Sequence, residues 1–553
     1  MLQPSAPSPC RGRWCQKPAL ARRLRPESPC PPDAPGVRLA DAHPPTDPST
    51  VDVLIVGGGI NGAGIARELA GRGRSVLLVE QHDLAQHTSS SSTKLIHGGL
   101  RYLEYYEFTL VRKALAERER LLRSAPHIMG PLRFVMPHDP SMRPAWMIRA
   151  GLFLYDHLAR REWLPDSRTV ALHRHEAGAA LQPRFTRGFV YSDGFVDDAR
   201  LVVLCAVDAV AHGASVRTRC ACTSATRDAD GWTATLAPAG GPAQTVRARV
   251  LVNATGPWAA HFLDERVHIP HRRSLRLVRG SHIVVPRLFE HEHAYIFQNP
   301  DRRIIFAIPY QQRFTLIGTT DVEHHDGLDR VHATDEEVLY LCQQASRCFR
   351  RAVTPADVVW RYAGVRPLLE DEAGNPAAVT RDYRLALNTE GGAPLLNVWG
   401  GKITTFRVLA EEAADRIGTR MGWGSSRWSE TAFLPGGDLR NLLPRLTRPD
   451  EDIEHFDAAL ASQHPELPAP LRRRWVRSYG ARVALLLDQP LGEEVAPNLY
   501  EAELRHLHDA EWARSADDVL WRRSKLGLHL TSAERAQVAQ WWRDSYGSDT
   551  AAH

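Results

Sequence analysis

Long apolar runs are missing from this chain. Nowhere in its 553 residues do about 18 apolar residues follow one another, the length a membrane-spanning helix needs. The first residues also lack the apolar core of a secretory signal. Cysteine is scarce, with eight in all: Cys10, Cys15 and Cys30 stand in a Pro-rich stretch, and Cys205, Cys220, Cys222, Cys342 and Cys348 are scattered. This spacing is no disulfide framework, and Cys220-Ala221-Cys222 has no second ligand pair for zinc. Reduced thiols in a cytoplasm and no metal site are expected. Charge of one sign is not in excess either: a net charge of +5 is small for this length and gives no reason to expect nucleic acid as a partner. Lysine is the rare basic residue, with only Lys17, Lys94, Lys113, Lys402 and Lys525 against 64 arginines. Each position that keeps an ammonium in so Arg-biased a chain merits inspection.

What is present is first of all a glycine turn. Val51-Asp52-Val53-Leu54-Ile55-Val56 reads as a strand and runs into Gly57-Gly58-Gly59-Ile60-Asn61-Gly62. A helix-forming segment, Ile65-Ala66-Arg67-Glu68-Leu69-Ala70, follows, and a second strand, Ser75-Val76-Leu77-Leu78-Val79, ends on Glu80. This is the βαβ unit of a dinucleotide site. Gly57 makes the tight turn, Gly59 lets the backbone approach a pyrophosphate, Gly62 allows close helix–strand packing, and Glu80 accepts from a ribose hydroxyl. The helix N-terminus offers unpaired N–H groups to the phosphates.

Residues 1 to about 48, rich in Pro, Arg, Ser and Ala, read as a disordered leader. The remainder exceeds what one core serves, so two or three domains are expected. A polar turn, Thr88 to Lys94, precedes a charged helix from about Tyr106 to Leu122. Pro144 to Arg161 is amphipathic, with Trp146, Met147, Ile148, Phe153, Leu154 and Tyr155 among Arg143, Arg149, Arg160 and Arg161. Such a helix either lies in a lipid interface or packs on its own domain. Strand signals dominate from Gly188 to about Gly318, and a helix is expected from about Asp335 to Arg350. Leu395-Leu396-Asn397-Val398-Trp399, Gly400-Gly401-Lys402 and a helix through Ala414 repeat the strand–glycine–helix pattern. After Leu434-Pro435-Gly436-Gly437 the chain reads as helical, with no strand-like run. The expected fold class is α/β: a Rossmann-like cofactor domain (segments about 49–140, 185–268 and 360–420) interleaved with a β-rich, α+β substrate domain (about 141–184 and 269–359), followed by an all-helical C-terminal domain (430–545).

One dinucleotide motif near the start, with a second strand–Gly-Gly–helix element far downstream, favours FAD over NAD. FAD is long, and distant segments such as Gly400-Gly401 must close over its ring. The motifs Gly57-Gly58-Gly59-Ile60-Asn61-Gly62-Ala63-Gly64, Ser90 to Glu104, Asn253-Ala254-Thr255-Gly256-Pro257-Trp258, Ile317-Gly318-Thr319-Thr320-Asp321 and Gly364-Val365-Arg366-Pro367-Leu368 resemble the FAD-dependent glycerol-3-phosphate dehydrogenases of bacterial respiration. The resemblance extends from about Val51 to Tyr500-Glu501-Ala502-Glu503-Leu504 and Asp517-Asp518-Val519-Leu520-Trp521-Arg522-Arg523, and omits the leader.

The resemblance implies oxidation of sn-glycerol 3-phosphate to dihydroxyacetone phosphate, with electrons passing from FAD to a quinone. It further implies a homodimer in the cytoplasm, peripherally attached to the inner face of the cell membrane. An oxygen-using oxidase and a non-catalytic flavin-binding scaffold are the alternatives. Arginine suits a phosphate because its planar fork bonds two oxygens at once. Arg366 and Arg101 are therefore expected at the substrate with Tyr102, Thr319, Thr320 and Arg381. His97 is the candidate proton acceptor, and Lys402 a cation for flavin or phosphate. Ser91, Lys94, Gly256, Gly400, Gly401 and Thr404 complete the expected cofactor wall, with Gly57, Gly59, Gly62 and Glu80.

Overall fold

The computed structural model describes residues 49–139, 143–271, 273–301, 303–369, 382–424 and 426–547. The leader, residues 1–48, lies outside them.

The β-branched run Thr50–Val56 forms the central strand of an eight-stranded sheet. Across the sheet the order is Arg384–Asn388, Leu395–Trp399, Gln244–Asn253, Thr50–Val56, Val76–Val79 and Ser215–Arg217. A hairpin, Cys220–Arg227 with Trp232–Pro238, adds to Gln244–Asn253. Thr50–Val56 is parallel to both neighbours, so it is buried on two faces and reads as a continuous apolar run. Val53 and Ile55 face the helices Ile60–Gly71, Asp198–Ala211 and Phe406–Met421, while Leu54 and Val56 join Trp232 and Trp399 on the other side. Gly64 brings the first and last of these helices together: a Cβ there would lie 2.8 Å from the Phe406 ring.

The helix Asp198–Ala211 corrects the sequence reading, which took this stretch as strands. Its residues Asp198 to Ala206 are all buried, so no 3.6-residue alternation marks it. The Asp197 side chain caps it, accepting from Arg200 N at 3.1 Å.

A second sheet of ten strands stands beside the first. Its main path runs Val322–Glu323, Leu275–Pro286, Phe314–Gly318, Ile304–Tyr310, Ala294–Gln298, Met129–His138, Arg187–Val196, Leu95–Ile96, with Trp360–Leu369 paired to Leu275–Pro286. The strands Met129–His138, Arg187–Val196 and Trp360–Leu369 therefore belong to this sheet, not to the cofactor segments in which the sequence boundaries put them. Strands carry no local mark of which sheet they join; that is decided by long-range pairing. The helix Asp335–Cys348 covers one face through Val338, Leu341 and Ala345, and Val111, Leu152 and Tyr155 cover part of the other.

The C-terminal region is helical around its own core of Phe456, Trp475, Leu504 and Trp542. It is not all helix: Glu494–Ala496 and Leu499–Tyr500 form a short hairpin, too brief to show an alternating pattern. Among the described residues no helix is long and apolar enough to cross a membrane.

Candidate active site

The glycine turn is built as its spacing predicts. Gly57 has φ +113°, and a Cβ there would meet the Ala254 carbonyl oxygen at 2.5 Å; at Gly62 a Cβ would lie 1.9 Å from the Gly57 carbonyl oxygen. The helix Ile60–Gly71 thus starts directly against the strand end, with no acidic residue in its first turn. Ser89 supplies the bond the sequence reading missed, its hydroxyl accepting from Ile60 N at 3.0 Å. The Glu80 carboxylate accepts from Gly58 N at 2.6 Å and His82 N at 2.8 Å. Each oxygen keeps a second lone pair, and burial pushes the Glu80 carboxyl upward. His82 Nδ1 and His87 Nε2, on the same wall, lie 2.9 Å apart.

A cavity of about 520 Å³ runs between the two sheets. Gly57, Gly59, Glu80, Ser91 and Gly256 line it, as do Gly400, Gly401 and Thr404 from the distant strand–glycine–helix element. Asn61 clasps the two glycine elements together by donating to Gly400 O at 3.1 Å. Two positive-φ glycines, Gly400 and Gly401, leave backbone without side chains facing the space. The cradle that a Cβ would fill, the helix N-terminus without an acidic residue in its first turn and the buried carboxylate fit a flavin dinucleotide.

His97, Tyr102, His282, Thr319, Arg366 and Lys402 meet on another wall of the same cavity. Gly99, at φ +75°, lets the Tyr102 ring fold back: a Cβ there would lie 2.3 Å from the ring. Thr404 Oγ1 accepts from His97 N at 3.3 Å, and Gly98 N donates to Tyr155 Oη at 2.8 Å. The Lys402 ammonium, 3.9 Å from the centre of the Tyr102 ring, is buried without a hydrogen-bond partner among the described residues. Burial first, with Lys402 and Arg118 adding to it against the pull of Asp193, lowers the His97 pKa. Both effects favour the neutral imidazole. Arg366 Nη2 reaches Thr320 O and Asp321 Oδ1, each at 2.9 Å.

Four of the expected residues stand outside the lining, the first being Gly62, which packs against the Gly57 carbonyl oxygen. Lys94 does not line the cavity; its ammonium is buried and donates to both Asp198 oxygens at 2.9 Å and to Ser90 O. Thr320 is buried, donating to Glu337 Oε1 at 2.7 Å and accepting from Ser281 N at 2.9 Å. Arg101 is half-buried beside Tyr102 but is not in the lining. Arg381 lies outside the described residues.

His282, Gly280 and Asp321 line the cavity too, and sequence reasoning did not select them. Burial holds His282 well below the ordinary histidine value, helped by Lys94 and Arg366. Its Nε2 is 3.0 Å from Thr93 Oγ1, while Nδ1 has no partner among the described residues. A Cβ at Gly280 would lie 2.5 Å from Arg366 Nη2 and 2.6 Å from Thr319 Oγ1. A glycine inside the strand Leu275–Pro286 was a legible signal of such a close approach.

The comparisons agree with this geometry. Residues 52–407 match the FAD dependent oxidoreductase family model. A glycerol-3-phosphate dehydrogenase of Pseudomonas aeruginosa is 50% identical, over 92% of this chain and 98% of its own length. A D-erythritol 1-phosphate dehydrogenase of Brucella abortus is 47% identical over 90% and 98%. The crystal structure of the Bacillus halodurans glycerol-3-phosphate dehydrogenase complexed with FAD matches with a TM-score of 0.73 at 25% identity, over 90% of this chain and 92% of that one. Long agreement in sequence and a shared cofactor fold make the conclusion plain: the chain belongs to the FAD-dependent oxidoreductases, in the family of the glycerol-3-phosphate dehydrogenases.

Proposed function

We propose that this protein oxidises sn-glycerol 3-phosphate at C2 to dihydroxyacetone phosphate and delivers the electrons to a membrane quinone. One observation carries the reading: among the described residues the buried Lys402 ammonium has no anionic partner, in a cavity that also holds Arg366. A buried cation without a counter-charge is costly, and a substrate phosphate completes it.

When bound, FAD supplies the acceptor for the hydride that leaves C2. The protein's residues do the rest. Lys402 and Arg366 hold the phosphate, the latter exchanging part of its contact with Asp321 for the ligand. His97 takes the hydroxyl proton as the C2 carbonyl forms. Of the two neutral imidazoles on this wall, His282 is already engaged, its Nε2 3.0 Å from Thr93 Oγ1 and its ring stacked on Tyr362. We assign it to positioning. Tyr102, packed under Lys402, fixes the ammonium toward the cavity.

Attachment to a membrane is read from the helix Ala145–His157, whose Trp146, Met147, Phe153 and Leu154 are exposed. These side chains favour a lipid surface, where a quinone is reached.

Anaerobic titration of the flavin absorbance tests the reading. Bleaching by sn-glycerol 3-phosphate but not by glycerol is expected. Stronger bleaching by D-erythritol 1-phosphate would move the substrate to the longer polyol phosphate. No bleaching by either would turn the reading to a flavin scaffold. Oxygen uptake at the full rate without quinone would make it an oxidase.

A further inference from the structure

The C-terminal stretch Asp518–Lys525 contributes no residue to the lining of the cavity, and Val519 and Leu520 belong to the C-terminal core, yet Trp521, Arg522, Arg523 and Lys525 grip three of the cavity's walls.

The first grip is on the loop after Glu80. Arg523 donates from Nη1 and Nη2 to the two Asp83 oxygens at 2.7 and 2.8 Å, with both side chains fully buried. Arg522 Nε adds a bond to the same carboxylate at 2.6 Å. Asp83 lies three residues beyond Glu80 and next to His82, whose N–H the Glu80 carboxylate accepts.

The second is on the serine turn. Lys525 Nζ donates to Asp197 Oδ1 at 2.8 Å. The next residue, Asp198, accepts from Ser92 Oγ at 2.7 Å and from Lys94 Nζ. Ser91, Ser92 and Thr93 of that turn line the cavity.

The third is on the substrate wall. Trp521 stacks on Trp360 at 5.1 Å, Trp360 lies against Tyr362 at 4.9 Å, and Tyr362 stacks on His282 at 4.9 Å with planes 13° apart. His282 is in turn tight against Gly318, where a Cβ would lie 2.1 Å from its ring. The imidazole can shift only as far as the stack lets it.

The geometry points to a positioning role for this segment: Arg522 and Arg523 set the affinity for FAD by holding the Glu80 loop through Asp83, and Trp521 sets the substrate geometry by holding His282 through Trp360 and Tyr362. The substrate half rests on the function proposed above; the FAD half does not, so the two fail separately. An exact fork at a buried carboxylate is worth a bidentate, charge-assisted bond that lysine cannot reproduce. A small displacement of a site residue lowers the rate without any loss of fold.

The full chain is compared in four variants by FAD fluorescence titration of the apoprotein, thermal melting and steady-state kinetics. Arg523→Lys is expected to raise the FAD dissociation constant about tenfold, the loss of one hydrogen bond to a charge. Trp521→Leu is expected to leave that constant unchanged, to lower kcat about tenfold, and to alter the pH profile of kcat. Phe456→Leu, in the C-terminal core, supplies the comparison for lost stability and keeps wild-type FAD affinity and kcat. If Arg523→Lys does not fold, Arg522→Gln, at the more accessible guanidinium, gives the same readout. Unchanged FAD affinity in the arginine variants overturns the FAD half, as does an equal loss in Phe456→Leu. Wild-type kcat and pH profile in Trp521→Leu overturn the substrate half.

Discussion

The Lys402 ammonium sits 3.9 Å from the centre of the Tyr102 ring and has no hydrogen-bond acceptor among the described residues. A ring face returns about 0.5–2 kcal/mol to a cation, less than the several kcal/mol that burial of an ion costs. The protein's own described residues therefore leave this ammonium electrostatically incomplete.

Lys402→Gln should lower kcat/KM for sn-glycerol 3-phosphate by about 100-fold, the scale of losing one partner of a buried charge pair. The same change should raise the melting temperature of the ligand-free protein, because it removes an uncompensated charge. A lysine that merely held the fold would lower it. Steady-state kinetics and a melting scan on one preparation give both signs.

The pH profile follows from the neutral imidazoles. Burial, assisted by Lys402 and Arg118, keeps the folded His97 below its ordinary value of 6.5. Its acid limb in kcat should therefore fall below pH 6.5, with kcat flat above it. The substrate phosphate, which protonates at about pH 6, acts on KM instead. His97→Asn should lower kcat by about 10²- to 10⁴-fold, the range of a lost general base, and His282→Asn by less. A larger loss in His282→Asn would exchange their roles.

Stability carries the same sign for a different histidine. His127 is buried with neither ring nitrogen partnered among the described residues, and burial, with Arg200, Arg482 and Arg477 beside it, pushes its pKa down to about 3. Between pH 6.5 and about 3 the unfolded chain binds a proton there that the folded chain does not, so stability falls as pH falls. Melting temperature plotted against pH should lose part of its slope below 6.5 in His127→Gln.

The glycine turn and the strand–Gly-Gly–helix element were legible because each is a local pattern, and residues of both line the same cavity. The lysine scarcity was legible too, but only half of its meaning. Lys402 faces the cavity, whereas Lys94 and Lys525 neutralise the adjacent Asp198 and Asp197. Sequence could not separate these, since the aspartates lie about 100 and 330 positions from their lysines. His282 escaped for the same reason: a strand histidine becomes a site residue only through its pairing with Gly318 and Tyr362. The helix Asp198–Ala211 shows the converse limit. Complete burial erases the periodicity by which a helix is read.

Two glycines make contrasting predictions. Gly62→Ala puts a methyl group 1.9 Å from the Gly57 carbonyl oxygen, a backbone atom that cannot swing aside, and should cost about 3 kcal/mol or more with loss of FAD. Gly280→Ala meets the far end of Arg366 instead, at 2.5 Å from Nη2, and that end can move. It should fold, keep FAD, and raise KM for sn-glycerol 3-phosphate about tenfold, as expected for a displaced phosphate ligand. Flavin content and KM on purified variants decide both.

The helix Ala145–His157 has two faces with opposite duties. Leu152 and Tyr155 are buried, and Tyr155 Oη donates to Asp193 at 2.8 Å while accepting from Gly98 N. That fixes the inner face to the turn carrying His97. On the outer face Trp146 is 70% exposed and Phe153 57%, and the neighbouring Tyr106 is 80% exposed. Arg143 and Arg160 are exposed around them. Scattered apolar side chains on a surface need no explanation, but three large aromatic ones with a basic rim suit the headgroup boundary of an anionic bilayer. Trp146→Ser with Phe153→Ser should abolish sedimentation with vesicles containing anionic lipid. The double variant should keep its rate with a water-soluble electron acceptor, because neither side chain lines the cavity. With a lipid-embedded quinone the rate should fall at least tenfold, the cost of losing the shared surface on which enzyme and acceptor meet. Retained vesicle binding would place the attachment elsewhere, and an equal fall with both acceptors would make the outer face part of the fold of the site.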